Sequence, residues 1–172
     1  MRKFRVLPAA LALVTLLAAC GDGTSTDTAA PNDNQTTATS TAPAERTAVT
    51  VYLLDGGRLA PVTRDVTGPL APAALRALIA GPTKADGDLE SDVPDITKVN
   101  GIDVDGDTAV VDVSPEFVSF SDATTMRTRT AQVVFTVLGQ LHTVSKVQIV
   151  LDGAASPTMP AVGAADFADL AP

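Results

Sequence analysis

The sequence predicts an α+β domain of two layers, β-β-α-β-β-α-β, with two helices on one face of a largely antiparallel sheet. Three observations point there. Apolar residues alternate with period two in separate short stretches, as in Val49, Val51 and Leu53 or Val147, Ile149 and Leu151. Two other stretches repeat at three or four residues, around Leu75–Ile79 and from Ala123 to Leu141. Glycine-bearing turns, Asp55-Gly56-Gly57 and Gly106, join the early strands into hairpins.

Thr47 to Leu54 is a strand with apolar groups on both faces, so a central position is expected. Arg58 to Val66 returns as its partner, and Pro61, which has no N–H to donate, places this strand at an edge. Leu70 to Ala80 is a helix, with Pro72 in its first turn and Gly81-Pro82 as its stop. Thr83 to Asp95 is acidic, aperiodic and read as a loop. Val99 to Val113 forms a hairpin in which Ile102 and Val104 alternate with solvated Asp103 and Asp105, and Ala109, Val111 and Val113 return as the apolar face. Ser121-Asp122 opens the longer helix, with Arg127, Arg129, Gln132 and Gln140 falling between members of its apolar stripe. The β-branched residues from Val133 to Val137 make its second half depend on burial, and a strand is the alternative for that half. Val144 to Leu151 is the last strand, and residues 154–172 follow the domain as a C-terminal tail.

Before the domain lies a different kind of sequence. Arg2, Lys3 and Arg5 precede an apolar run from Val6 to Leu17, and Leu17-Ala18-Ala19-Cys20 ends it. A basic start, a short apolar segment and small residues before a cut describe an export signal over residues 1–19, too short for a membrane-spanning helix. The order resembles the lipobox of bacterial lipoproteins, which implies lipidation of Cys20 by diacylation of its thiol, attachment to the membrane through that lipid, and residence on the extracytoplasmic face. Cys20 is also the chain's single cysteine, so no disulfide forms within the chain. Residues 20–46 are then the lipidated Cys and a tether, without aromatics or aliphatics larger than alanine from residue 21 on. Asn34-Gln35-Thr36 matches a glycosylation sequon within it.

Loss of residues 1–19 removes three basic and no acidic residues, so the net charge of −8 becomes −11. Such a surface disfavours nucleic acid, which is bound through clustered Lys and Arg. The absence of tryptophan argues against a stacking groove for sugars or bases. His142, the sole histidine, is read as a cap near the end of the long helix, against a triad with Ser145 or Thr143. Asp103, Asp105 and Asp107 fail the EF-hand pattern, because the required glycine falls on Thr108 and the required glutamate on Ser114. Asp86, Asp88, Glu90 and Asp92 make an acidic loop read as solvated, with weak cation binding as its alternative. No catalytic residue, cofactor or metal ligand is assigned. The carboxylates Asp112 and Glu116 are the pair an alternative, a cell-wall polymer hydrolase, would use.

Val51-Tyr52-Leu53, Ala74-Leu75 through Leu78-Ile79-Ala80-Gly81-Pro82, and Asp92-Val93-Pro94 are followed by Ala109 to Phe117, Ala131-Gln132-Val133-Val134-Phe135-Thr136 and Val147 to Gly153. Through these stretches and their order, residues 47–153 resemble the GerMN family, associated with sporulation and spore germination. Phe135 stands where the family commonly has tyrosine. The resemblance carries no agreed catalytic set, and it implies a binding or assembly module at the envelope, with an envelope protein or peptidoglycan as partner.

Overall fold

The computed structural model describes residues 45–156 and 159–172. Cys20, the export signal and residues 21–44 of the tether lie outside the described residues. The fold is mixed α+β, with its strands divided between two sheets.

The first sheet is a hairpin. β1 (Thr47–Asp55) pairs antiparallel with β2 (Arg58–Val66) from Thr47↔Val66 to Asp55↔Arg58. Gly56 and Gly57, at φ of +54° and +85°, occupy the two-residue turn, where a side chain would be strained. With Asp55 and Arg58 hydrogen-bonded across that turn, Pro61 turns its nitrogen outward, as the edge expectation requires. The second sheet has the order β3-β4-β5-β6. β3 (Val99–Asp105) and β4 (Thr108–Val113) form the expected hairpin, and β6 (Ala154–Ala155) adds a short antiparallel edge to β5 (Lys146–Leu151). β4 and β5 run parallel, because the chain between them crosses over through a helix.

α1 (Leu70–Ile79) starts beside Pro69 and ends at Ala80, after which Gly81 takes φ +75°. α2 (Ala123–Leu138) is the crossover helix. The Asp122 carboxylate caps it by accepting the Thr125 N–H at 2.8 Å. The whole of Val133–Val137 is helical, so burial prevails over β-branching there. The helix ends at Gly139, short of the expected Leu141.

One core joins both sheets to both helices. Val51, Leu53, Leu75, Leu78, Val111, Val113, Phe117, Val134, Val137 and Val147 are all essentially inaccessible. Val111 and Ile149 sit opposite each other in the parallel pair β4–β5, and both are buried.

Three expectations change. β1, read as central, has a strand on one edge only; its other edge is closed by α2 side chains, described below. Arg129 and Gln132, read as polar residues beside the stripe, are 3% and 0% exposed, because α2 is buried on nearly every side. The segment 154–172, read as a tail, folds back on the domain. The β6 pairing, the bridge Val147↔Val162 and the buried Phe167 attach it, and the Leu59 N–H donates to the Leu170 carbonyl at 2.9 Å.

Candidate functional site

The most connected polar constellation lies along α2. Thr128, Gln132 and Thr136 recur at intervals of four and so stack on one face of the helix, and Gln140 continues the interval in the turn that follows it. The two-residue turn of the first hairpin directs the N–H and C=O groups of Thr50, Tyr52 and Leu54 away from β2. The α2 column meets them. The Tyr52 N–H donates to Thr136 Oγ1 at 3.1 Å, Gln132 Nε2 donates to the Tyr52 carbonyl at 3.0 Å, and Gln140 Nε2 donates to the Thr50 carbonyl at 3.2 Å. Leu54 and Glu90 exchange backbone hydrogen bonds of 2.8 and 2.9 Å, which extends the closure to the turn end of the strand. Side chains of a helix and one loop residue therefore stand where a third strand would otherwise be needed.

The same column holds the acidic loop. Gln132 Oε1 accepts the Asp92 N–H at 2.9 Å, and Thr128 Oγ1 donates to the Asp92 carboxylate. Arg129 Nε donates to the Asp92 carbonyl at 2.7 Å, and its Nη1 reaches the carbonyls of Phe117 and Ser119. Burial pushes the Arg129 guanidinium below its ordinary value, and the Asp92 charge opposes that shift. Thus a loop read as solvated is half structural. Asp86 lies in a short 3-10 turn, Lys84–Asp86, and takes two guanidinium hydrogen bonds from Arg64, at 3.1 and 2.5 Å.

Arg64, then the Thr83 N–H and hydroxyl, hold the Asp86 carboxyl well below its usual 3.8, at about 2. A depressed folded-state value stabilises the fold above the unfolded-state pKa and loses that contribution as pH falls towards about 2. Acid unfolding followed by circular dichroism is therefore expected to begin at higher pH once wild-type protection is removed at the pair. Relative to wild type, Asp86→Asn should lower stability at neutral pH and flatten its decline between about pH 4 and 2. An unchanged pH profile in Asp86→Asn would show that the pair contributes nothing.

Other candidates are placed apart. His142 is exposed and follows the helix end by three residues beyond Gly139, so the cap expected of it is absent and the last turn is closed by backbone groups. Ser145 Oγ donates to Asp107 at 3.0 Å, which with Thr108 and Lys146 holds the Asp107 carboxyl below its usual range. The Ser145 hydroxyl is thereby tied to a carboxylate on another segment. Asp112 Oδ1 accepts the Gly153 N–H at 3.0 Å and Asn100 Nδ2 at 3.3 Å, which fixes the β5–β6 turn to β4. The Ser114 hydroxyl is the main influence holding Glu116 below its ordinary value. Asp103 and Asp105 are exposed, as expected. No group of three or more His, Cys, Asp or Glu is arranged to hold a metal among the described residues.

Two features escaped sequence reading. One is a cavity of about 320 Å3 between α2, β5 and the C-terminal segment, lined mainly by Met126, Ile149, Met159, Val162 and Phe167. Arg127 closes one side by stacking on the Phe167 ring at 5.3 Å and pairing with Asp169 at 2.7 Å. Its outer wall belongs to a stretch too irregular for periodicity to reveal. The other is Phe120, 98% exposed at φ +52°, an aromatic ring presented to solvent just before α2.

Comparison with known proteins places this architecture. No curated protein matches the chain. A candidate lipoprotein of Clostridium perfringens is similar in structure at a TM-score of 0.52, with 21% identity over 74% of this chain and 93% of that one. The first GerMN domain of the sporulation protein GerM from Bacillus subtilis aligns at 0.56, with 24% identity over 68% of this chain and 91% of that domain. The tandem GerMN domains of the same protein align at 0.57, with 23% identity over 69% of this chain and 44% of theirs. These likenesses show a shared fold. The family model Germane, described as sporulation and spore germination, matches residues 50–156. With that model matched over more than half of its length, this chain belongs to the Germane (GerMN) family.

Proposed function

We propose that the chain is exported, anchored by lipid on Cys20, and acts by contact as a non-catalytic binding or assembly module at the cell envelope. Its setting would be sporulation, germination or envelope signalling, with an envelope protein or peptidoglycan as partner. The observation that carries the reading is the order of parts: a Germane domain follows Leu17-Ala18-Ala19-Cys20 and a polar stretch without large apolar residues. No helix among the described residues is long and apolar enough to cross a membrane, so attachment in this reading falls to the lipid.

The state of the polar groups supports contact over chemistry. Gln132, Arg129 and Thr136 serve backbone partners that hold the fold together, and the Asp92 carboxylate accepts from the Thr128 hydroxyl. The hydrolase alternative needs a carboxyl with a raised pKa to protonate the leaving group. Glu116 is shifted the opposite way, and Asp112 is engaged by the β5–β6 turn.

Mass spectrometry of the mature N-terminus tests the anchor. Diacylglyceryl-modified Cys20 is expected in the wild type, and Cys20→Ser should stay uncleaved and unacylated. An unmodified N-terminus elsewhere overturns the localisation. Affinity recovery from intact envelopes tests the contact: a partner should be retained equally by wild type and His142→Ala, and less well when much of residues 21–46 is deleted.

A further inference from the structure

The sheet edges of this domain are protected unequally. On β2, Pro61 removes one donor, the Leu59 N–H is taken by the Leu170 carbonyl, and Arg64 covers the Thr63 carbonyl. The free edge of β1 is closed by the α2 column. β5 receives β6 and Val162. The outer edge of β3 has none of these devices. Its two-residue turn, Gly106-Asp107, makes Asp105 and Thr108 the hydrogen-bonded pair, so Asp103 and Gly101 face β4 while Ile102 and Val104 direct their N–H and C=O outward. Among the described residues no hydrogen bond reaches those outward groups. No proline interrupts the strand.

The side chains of the same strand differ by face. Ile102 and Val104 lie on the face of buried Val111 and Ala109, at the rim of the core, and with Leu70 and Leu141 they line an open groove of about 330 Å3. Val104 is 53% exposed and Leu70 41%, so the groove is apolar surface left uncovered. Asp103 and Asp105 occupy the opposite face and are exposed. A strand laid along β3 would therefore meet an apolar groove on one face and two carboxylates on the other.

We propose that β3 is a docking edge for an extended partner segment in which apolar residues alternate with Lys or Arg. The partner adds a strand: its backbone pairs with Ile102 and Val104, its apolar side chains enter the groove beside Leu70 and Leu141, and its cations face Asp103 and Asp105. Charge argues against a second copy of this chain. Two β3 edges side by side would bring Asp103 and Asp105 of both copies together, on chains that are already net acidic. This inference rests on the contact reading above and names the place and chemistry of the contact.

The probes are synthetic peptides alternating valine with lysine and valine with glutamate, added to the full mature chain and followed by amide exchange in NMR. The valine–lysine peptide is expected to slow exchange at Ile102 and Val104, and the valine–glutamate peptide to leave them unchanged. Asp103→Lys combined with Asp105→Lys, both at exposed positions, should weaken the valine–lysine peptide by about tenfold or more and bring the valine–glutamate peptide onto the edge. Protection at Thr63 and Asp65 instead, or equal binding of both peptides, overturns the proposal. Protection that grows with protein concentration in the absence of peptide would assign the edge to a second copy and also overturn it. In envelope pull-downs, a partner recovered by wild type but lost by the double variant supports β3. A partner recovered equally by both removes the edge and leaves the contact reading standing, whereas no partner for wild type, with peptide protection intact, removes the contact reading alone.

Discussion

Replacing Gln132 with leucine is expected to cost about 3–5 kcal/mol of folding stability, although leucine is the more apolar side chain and fits a helix well. Gln132 is fully buried, and its amide serves two backbone groups at once, donating to the Tyr52 carbonyl and accepting from the Asp92 N–H. Leucine orphans both, and each buried backbone group left without a partner costs about 1–3 kcal/mol. The loss should be local as well as global. Exchange of the Asp92 amide should accelerate, while the Tyr52 amide stays slow because Thr136 still accepts it. Gln140→Leu serves as the control, since Gln140 is half-buried and bonds only the Thr50 carbonyl; about 1 kcal/mol is expected there. Urea melts returning equal values for the two would refute the claim that the α2 column closes the sheet.

Val111→Asp and Ile149→Asp are each expected to cost more than about 4 kcal/mol, enough to leave the domain largely unfolded at 25 °C if its stability is typical. The two residues oppose each other across the parallel β4–β5 pair and are 0% and 3% exposed, so a carboxylate there has neither water nor a cation beside it. The same charge on the other face of this sheet is already tolerated: Asp103 and Asp105 project to solvent from β3, and Asp103→Asn or Asp105→Asn should change the urea midpoint by less than about 0.5 kcal/mol in free energy. A reversed ranking would mean that the strand faces are inverted.

Much of the domain was legible because its signals are local. Alternation around Val111 and Ile149 assigned buried faces, Asp122 marked the start of α2, Gly81 the end of α1, and Pro61 an outer strand. What remained hidden depends on partners far along the chain. Thr128, Gln132, Thr136 and Gln140 stand at a helical interval, yet polarity at such positions signals solvent unless the atoms they meet are known. Those atoms lie on β1, as much as 90 residues away, and on Asp92 of the acidic loop. Asp86 looked like one charge among four until Arg64, on β2, came within 2.5 Å. The C-terminal segment is attached by a two-residue strand, one bridge and Phe167, too little for any periodicity to register. The parallel β4–β5 pairing was concealed for a related reason: strand patterns report faces, whereas direction follows from the crossover through α2. As for the site, the exposed carboxylates of β3 were visible in sequence as solvated groups, but the uncovered groove behind them requires Leu70 and Leu141 from two other segments.

If this Germane domain works by contact, as proposed, it leaves wall polymer uncut. The most direct test incubates the purified mature protein with peptidoglycan and resolves the soluble products by mass spectrometry. No new muropeptides are expected, from wild type or from Asp112→Asn and Glu116→Gln. Fragments that accumulate with time, and that disappear in one of these variants while its urea midpoint stays at the wild-type value, would rule out action by contact alone and make the domain a hydrolase.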